Sequence, residues 1–172
     1  MERTTLEALR EVLDPLGIRW VLIGALAANR YRVTTRLTQD VDLLLSDAGA
    51  GLGALERGLA EAGWSVRRAS PGGEILRLRH PQLGAADLIL ASTDYERRAI
   101  ARARREALAP GAEVLVLAPE DVVVMKLIAG RAQDVADVEA ILAAKAPLDE
   151  SYVEEWAEVW GVLESWRRIR GG

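Results

Sequence analysis

The sequence predicts an α/β (α+β) protein. A mixed sheet flanked by helices fills residues 1–118, and a helical C-terminal part, 119–172, packs on it as one compact unit. Three observations predict this. Short apolar runs, each closed by glycine, proline or a polar cluster, have the length of buried strands. Between them lie stretches with leucines at helical spacing. From Pro119 onward the pattern is helical throughout.

The first helix spans Thr4–Leu13, with leucines at 6, 9 and 13, and Asp14-Pro15 and Gly17 end it. Trp20–Ile23 is a buried strand closed by Gly24, and the alanine-rich Ala25–Tyr31 is helical. Thr34–Gln39 is polar loop, and Asp40–Leu45 is the second strand. Ala48–Ala62 carries leucines at 52, 55 and 59 and ends at Gly63. A short strand, Trp64–Arg68, leads into the turn Ser70-Pro71-Gly72-Gly73. Glu74–Arg79 alternates Ile75, Arg77 and Arg79 against Leu76 and Leu78, and Ala85–Leu90 completes a hairpin with it. Asp94–Ala107 is an arginine-rich helix, and Glu113–Leu117 a last short strand. Pro119 suits a first helical turn, where Glu120 and Asp121 meet the positive end of the dipole. Gln133–Ala144 and Glu150–Arg168 follow as two further helices separated by Pro147.

Composition excludes several chemistries. The 172 residues include no cysteine and one histidine, so disulfides, thiolate nucleophiles, cysteine zinc sites and multi-histidine metal sites within the chain are ruled out. Any metal must be held by carboxylates. Half the residues are hydrophobic and 28% are charged, enough to bury a core. The net charge of −4 argues against nucleic-acid binding by bulk charge, although 20 of the 22 basic residues are arginine and Arg97, Arg98, Arg102, Arg104 and Arg105 cluster locally. The start, MERTTLEALREVLDPLG, is charged and amphipathic, unlike a signal peptide, and no apolar run approaches the ~18 residues that span a membrane. A cytoplasmic location without membrane partners is expected.

The sharpest feature is Asp40-Val41-Asp42. Residues i and i+2 of a strand share a face, so two carboxylates project side by side. Their repulsion is relieved by a cation between them, and Mg²⁺ takes such oxygen ligands. Asp87, heading Leu88-Ile89-Leu90, is a third acid on an apolar strand. Three carboxylates suffice to hold two metal ions for a phosphoryl displacement. Upstream, Gly24 lies where a strand turns into a helix, a place where backbone N–H groups can meet phosphate.

Gly24-Ala25 followed by Arg36-Leu37-Thr38-Gln39-Asp40-Val41-Asp42-Leu43 resembles the nucleotidyltransferase core of the DNA polymerase beta superfamily. It is similar, more narrowly, to minimal nucleotidyltransferases and abortive-infection type nucleotidyltransferase toxins. The segment Ala118–Arg131, followed by Asp134 and Asp137, also resembles a helix of those families. The likeness covers roughly residues 18–45 and 85–142. It implies a nucleotidyltransferase-like mixed sheet and transfer of a nucleoside monophosphate from a nucleoside triphosphate to an acceptor hydroxyl. It further implies Asp40, Asp42 and Asp87 as metal ligands, Asp87 also helping to deprotonate the acceptor. Gly24 and the backbone at Ala25 would cradle the triphosphate, Arg36 and Thr38 would contact its phosphates, and Lys126 would reach it from the C-terminal helices. RNA, small molecules and protein hydroxyls all fit as acceptors, and a homodimer or an antitoxin partner fits the toxin-like relatives.

Blander readings stand beside these. Arg36 reads equally as a partner of Asp40 or Asp42, and Lys126 as a snorkelling helix lysine. Asp134 and Asp137 read as a cap and a salt bridge to Arg131, His80 as a surface histidine, and the arginine cluster as a solvated face. Trp156, Trp160, Val153, Val159 and Leu163 read as a core-facing stripe. Ala25 stands where the relatives carry glycine or serine. It keeps the N–H but lacks a hydroxyl, which motivates the alternative of a catalytically weak binding module in a toxin–antitoxin or regulatory complex.

Overall fold

The computed structural model describes residues 4–38, 40–46, 51–109, 112–145 and 147–171. Seven strands form one mixed sheet in the order β3-β4-β5-β2-β1-β7-β6. They are β1 (Trp20–Leu22), β2 (Val41–Leu45), β3 (Ser65–Arg68), β4 (Ile75–His80), β5 (Gly84–Leu90), β6 (Arg104–Ala109) and β7 (Ala112–Val116). The β2–β5 and β1–β7 pairs are parallel; the other pairs are antiparallel. The predicted α/β class is therefore observed.

Helix α1 (Thr5–Leu13) opens on a capping box in which Thr4 and Glu7 satisfy each other's backbone N–H groups. It packs with α3 (Leu52–Glu61) beside β5 and β3. The short α2 (Gly24–Ala28) packs on β2 and on the C-terminal helices α5 (Pro119–Ala129) and α6 (Ala132–Ala143). Helix α7 (Glu150–Val159) packs on α5, and α8 (Leu163–Gly171) on α6 and α7. One hydrophobic cluster runs from Leu9 through Leu44, Leu88 and Val123 to Trp166. Among the described residues, no helix is long and apolar enough to cross a membrane.

Three expectations are corrected. The arginine-rich helix α4 (Asp94–Arg102) stops at Ala103, and Arg104, Arg105 and Glu106 turn into β6. Their backbone pairs with β7 from Arg104↔Val116 onward, so the ladder overrides good local helix propensity. The helix expected over 150–168 is two helices. Gly161, at φ +69°, lets Val162 N–H reach Ala157 O and Gly161 N–H reach Glu158 O, a left-handed C-terminal cap that ends α7. The apolar stripe consequently breaks up: Val153 is buried and Trp156 half-buried, whereas Val159 is 66% and Trp160 38% exposed. Of the helix expected from Ala48, residues 48–50 lie outside the described residues, as does Gln39 in the acidic motif.

Candidate active site

Strand register builds the site. Asp42 on β2 is the partner of Asp87 on β5, and Asp87 is the partner of Arg77 on β4. Arg77, Asp87 and Asp42 thus form one row across three adjacent strands. Alternation shows on β4 and β5, where Leu76, Leu78, Ala86 and Leu88 are buried and Arg77 and Asp87 lie on the other face; on β2, Leu43, Leu44 and Leu45 are all buried and Asp42 is half-buried. Asp40 lies just before β2 and is exposed, so it joins the group from the strand entry rather than from within the ladder.

A cleft of about 370 Å³ opens over this row. Seven of the eight candidate residues line it: Ala25, Arg36, Thr38, Asp40, Asp42, Asp87 and Lys126. Gly24 sits beneath Asp42, with Ile23 N–H donating to Asp42 O at 3.0 Å. The sequence reading missed Arg77, Arg79, Arg131 and Gln133, which complete the wall. For Arg77 and Arg79 the alternation of β4 was the available signal.

Gly24 contributes space. Its φ is +66°, and a Cβ there would collide with the Asp42 carboxylate. Helix α2 is five residues long, so its dipole adds little. Gly24→Ala is expected to destabilise the fold by about 2 kcal/mol, from the left-handed backbone and the displaced carboxylate. Urea denaturation checks this; wild-type stability would mean that Asp42 swings aside freely.

Electrostatics set the acids apart. Burial, then the charges of Asp87 and Asp40, push the Asp42 carboxyl up to about 6, while Lys126 and Arg131 pull the other way. Asp87 is held by Arg77 through Nε–Oδ1 at 3.2 Å and Nη2–Oδ2 at 3.3 Å. Among the described residues, no three carboxylate or imidazole groups converge tightly enough to coordinate a metal as they stand. The donor set itself suits a hard cation: oxygen ligands only, with a central acid whose ionised form two neighbouring acids oppose.

The cations are pre-positioned. Lys126 does not snorkel. It is buried, with Nζ 2.8 Å from both Asp134 Oδ1 and Asp137 Oδ2. Asp134 also takes Arg131 Nε at 2.6 Å and caps the start of α6, as the bland reading expected. Asp137 instead pairs with Arg32 and lies 3.5 Å from Arg36 Nε. Arg36 therefore leans on Asp137, not on Asp40 or Asp42. Its backbone is clamped by the Asn29 side chain, which donates to Arg36 O at 2.8 Å and accepts from Arg36 N–H at 2.9 Å. His80 is structural: its ring packs at a tilt against Trp64, centroids 5.1 Å apart, and Nδ1 accepts from Gln82 and Leu83 N–H.

A family model described as a nucleotidyltransferase of unknown function (DUF6036) matches residues 4–159. No curated protein matches the chain. Among solved structures, it is similar to the lincomycin-bound lincosamide antibiotic adenylyltransferase LnuA, at 13% identity over 83% of this chain and 99% of that one, TM-score 0.59. It is also similar to ANT(2'')-Ia in complex with adenylyl-2''-tobramycin, at 17% identity over 97% of each chain, TM-score 0.59. A third likeness is to an antigenic nucleotidyltransferase-like protein from Paracoccidioides brasiliensis, at 18% identity over 96% of this chain and 94% of that one, TM-score 0.51. At these identities the likeness is one of fold.

Proposed function

Because the chain belongs to this nucleotidyltransferase family of unknown function, we propose that it transfers a nucleoside monophosphate from a nucleoside triphosphate to an acceptor hydroxyl, with a divalent cation held by Asp40, Asp42 and Asp87. The observation that carries the reading is the Asp42↔Asp87 register pair seated against Gly24, in a cleft walled by Arg36, Arg79, Lys126 and Arg131.

Each residue has a task in this reading. Arg36, Thr38, Arg79, Lys126 and Arg131 face the triphosphate, whose charge they balance. The Gly24–Ala25 backbone supplies close approach without a side chain in the way. Asp87 accepts the acceptor's hydroxyl proton as the oxygen attacks the α-phosphorus, and the bond to the β-phosphate breaks to release pyrophosphate. A bound Mg²⁺ supplies charge neutralisation on the phosphates and a lowered pKa for the attacking hydroxyl. Arg77 exchanges the Asp87 carboxylate for a phosphate oxygen when the triphosphate enters, which frees Asp87 for its role.

The test is transfer of α-labelled triphosphates into a cell extract, wild type beside Asp87→Asn. Label is expected in an acceptor only with Mg²⁺, to vanish with chelator, and to fall on the order of 10²- to 10³-fold in the variant. Transfer that survives both chelator and Asp87→Asn would sink the assignment. The grip of Arg77 on Asp87, with Ala25 in place of a hydroxyl donor, favours one other reading: a module that binds triphosphate without transferring it. Calorimetry with Mg²⁺ and each triphosphate, alongside the label, separates the two; binding with no labelled product selects the module.

A further inference from the structure

The outward face of β4 and β5 is banded. On one side of the Arg77–Asp87 row the next outward pair is Arg79 and Ala85, beside Asp40. On the other side it is Ile75 and Ile89. The face thus changes from cationic to apolar across the reacting carboxylates.

A second hollow of about 430 Å³ covers the apolar side. It shares Asp42, Asp87, Arg77, Lys126 and Arg131 with the polar cleft. Its own walls are Ile75 and Ile89 from the sheet, Met125 and Ile128 from α5, Tyr95 from α4 and Trp160 from the end of α7. Trp160 stands there because Gly161 ends α7, and its ring meets Tyr95 edge-on at 6.0 Å. The volume is that of a small-molecule site.

The acids of this hollow are already engaged. Glu96 is spent on its own helix start, accepting from Ser92 N–H and from the Thr93 N–H and hydroxyl. Asp134 is held by Lys126 and Arg131. Asp42 and Asp87 belong to the reacting centre, where the divalent cation takes their charge. Among the described residues, a polycation entering the hollow finds no carboxylate beyond those of the reacting centre left to pair with, and it meets Arg131. A nucleobase finds apolar and aromatic walls, and the Tyr95 hydroxyl that would read its edge is already spent on Asp121 O.

Resting on the nucleotidyl-transfer reading above, we propose that this hollow is the acceptor site, and that the acceptor is a small, ring-bearing hydroxyl compound with an apolar body rather than a polyamine or a polynucleotide. The triphosphate lies over Gly24 and Ala25, where the hollow meets the polar cleft, and its nucleoside keeps to the polar side.

The test uses 8-anilinonaphthalene-1-sulfonate as an apolar ring probe on the intact protein, read by its fluorescence and by energy transfer from tryptophan. One saturable site is expected, weakened at least fivefold by Trp160→Ala and abolished by Ile89→Asp. Should Ile89→Asp fail to fold, Trp160→Ala at the exposed end of α7 carries the test. Neither inorganic triphosphate nor ATP should displace the probe, and tobramycin should not. Displacement by ATP but not by inorganic triphosphate would put the nucleoside in the hollow and overturn the proposal. Micromolar displacement by tobramycin would overturn it on charge. Absent or variant-insensitive probe binding, with inorganic triphosphate still bound in the polar cleft, would overturn the acceptor site alone. Failure of inorganic triphosphate to bind would count against the transfer reading instead.

Discussion

In the absence of divalent cation, Asp42→Asn is expected to stabilise the protein at pH 7.5 while removing its activity. Burial and the neighbouring Asp87 and Asp40 raise the Asp42 carboxyl from 3.8 to about 6. Between those two values the folded state keeps a proton that the unfolded chain has given up. Stability therefore falls as pH rises through about 4 to 6, and the deficit persists above it. A shift of that size corresponds to at most about 3 kcal/mol. The asparagine variant carries no such deficit, so its gain is present at pH 7.5 and small at pH 4.

Urea denaturation at the two pH values reads this directly. Adding Mg²⁺ should stabilise the wild type, because a ligand bound only by the folded state shifts the equilibrium, and should do little for the variant. Nucleotidyl transfer should fall on the order of 10³-fold. A variant no more stable at pH 7.5 than at pH 4, relative to wild type, would show that Asp42 is not a strained acid. Equal stabilisation of both proteins by Mg²⁺ would place the ion elsewhere.

The same residue shows what the sequence discloses and what it withholds. Asp42 is legible because it stands two residues from Asp40 at the head of an apolar strand run, and Asp87 because it is a lone acid in another such run. Their adjacency is not legible: it comes from the parallel β2–β5 ladder, joining segments some 45 residues apart, and no local pattern encodes that pairing. Arg77 shows the same split, since alternation turns it outward but only register sets it opposite Asp87. In the sequence Gly24 marks a strand-to-helix turn open to phosphate, and the structure adds that it clears room for Asp42. Where local propensity disagreed with tertiary pairing, propensity lost. Arg104-Arg105-Glu106-Ala107 prefers helix, yet it is drawn into β6 by the hairpin with β7. Gly161 was the opposite case, a readable stop signal inside a long periodic stretch, and overlooking it hid the rim position of Trp160.

Lys126→Met is expected to act in the other direction from Asp42→Asn, although both side chains line one cleft. Lys126 is 6% exposed and sits between two acids that are 0% and 1% exposed. Burial alone would raise the Asp134 carboxyl, and the hydrogen bonds from Arg131 and Lys126 outweigh it and hold the group below the usual carboxylate range. Removing the ammonium leaves Asp134 to Arg131 and Asp137 to Arg32 and Arg36, each acid short of one buried partner. Breaking such an arrangement from one side costs about 3–5 kcal/mol, a fall of roughly 10 °C in Tm for a chain of this size.

The double variant Lys126→Met with Asp137→Asn decides whether that loss comes from stranded charge or from packing. If charge is the cause, neutralising Asp137 recovers part of the loss, and the two changes couple by about 1–3 kcal/mol. Additivity within about 0.5 kcal/mol would assign the loss to packing of the lysine stem. Triphosphate affinity should fall in both the single and the double variant, because neither returns a cation to the cleft wall. Stability recovered without triphosphate binding would separate what Lys126 does for the acids of α6 from the phosphate contact proposed for it.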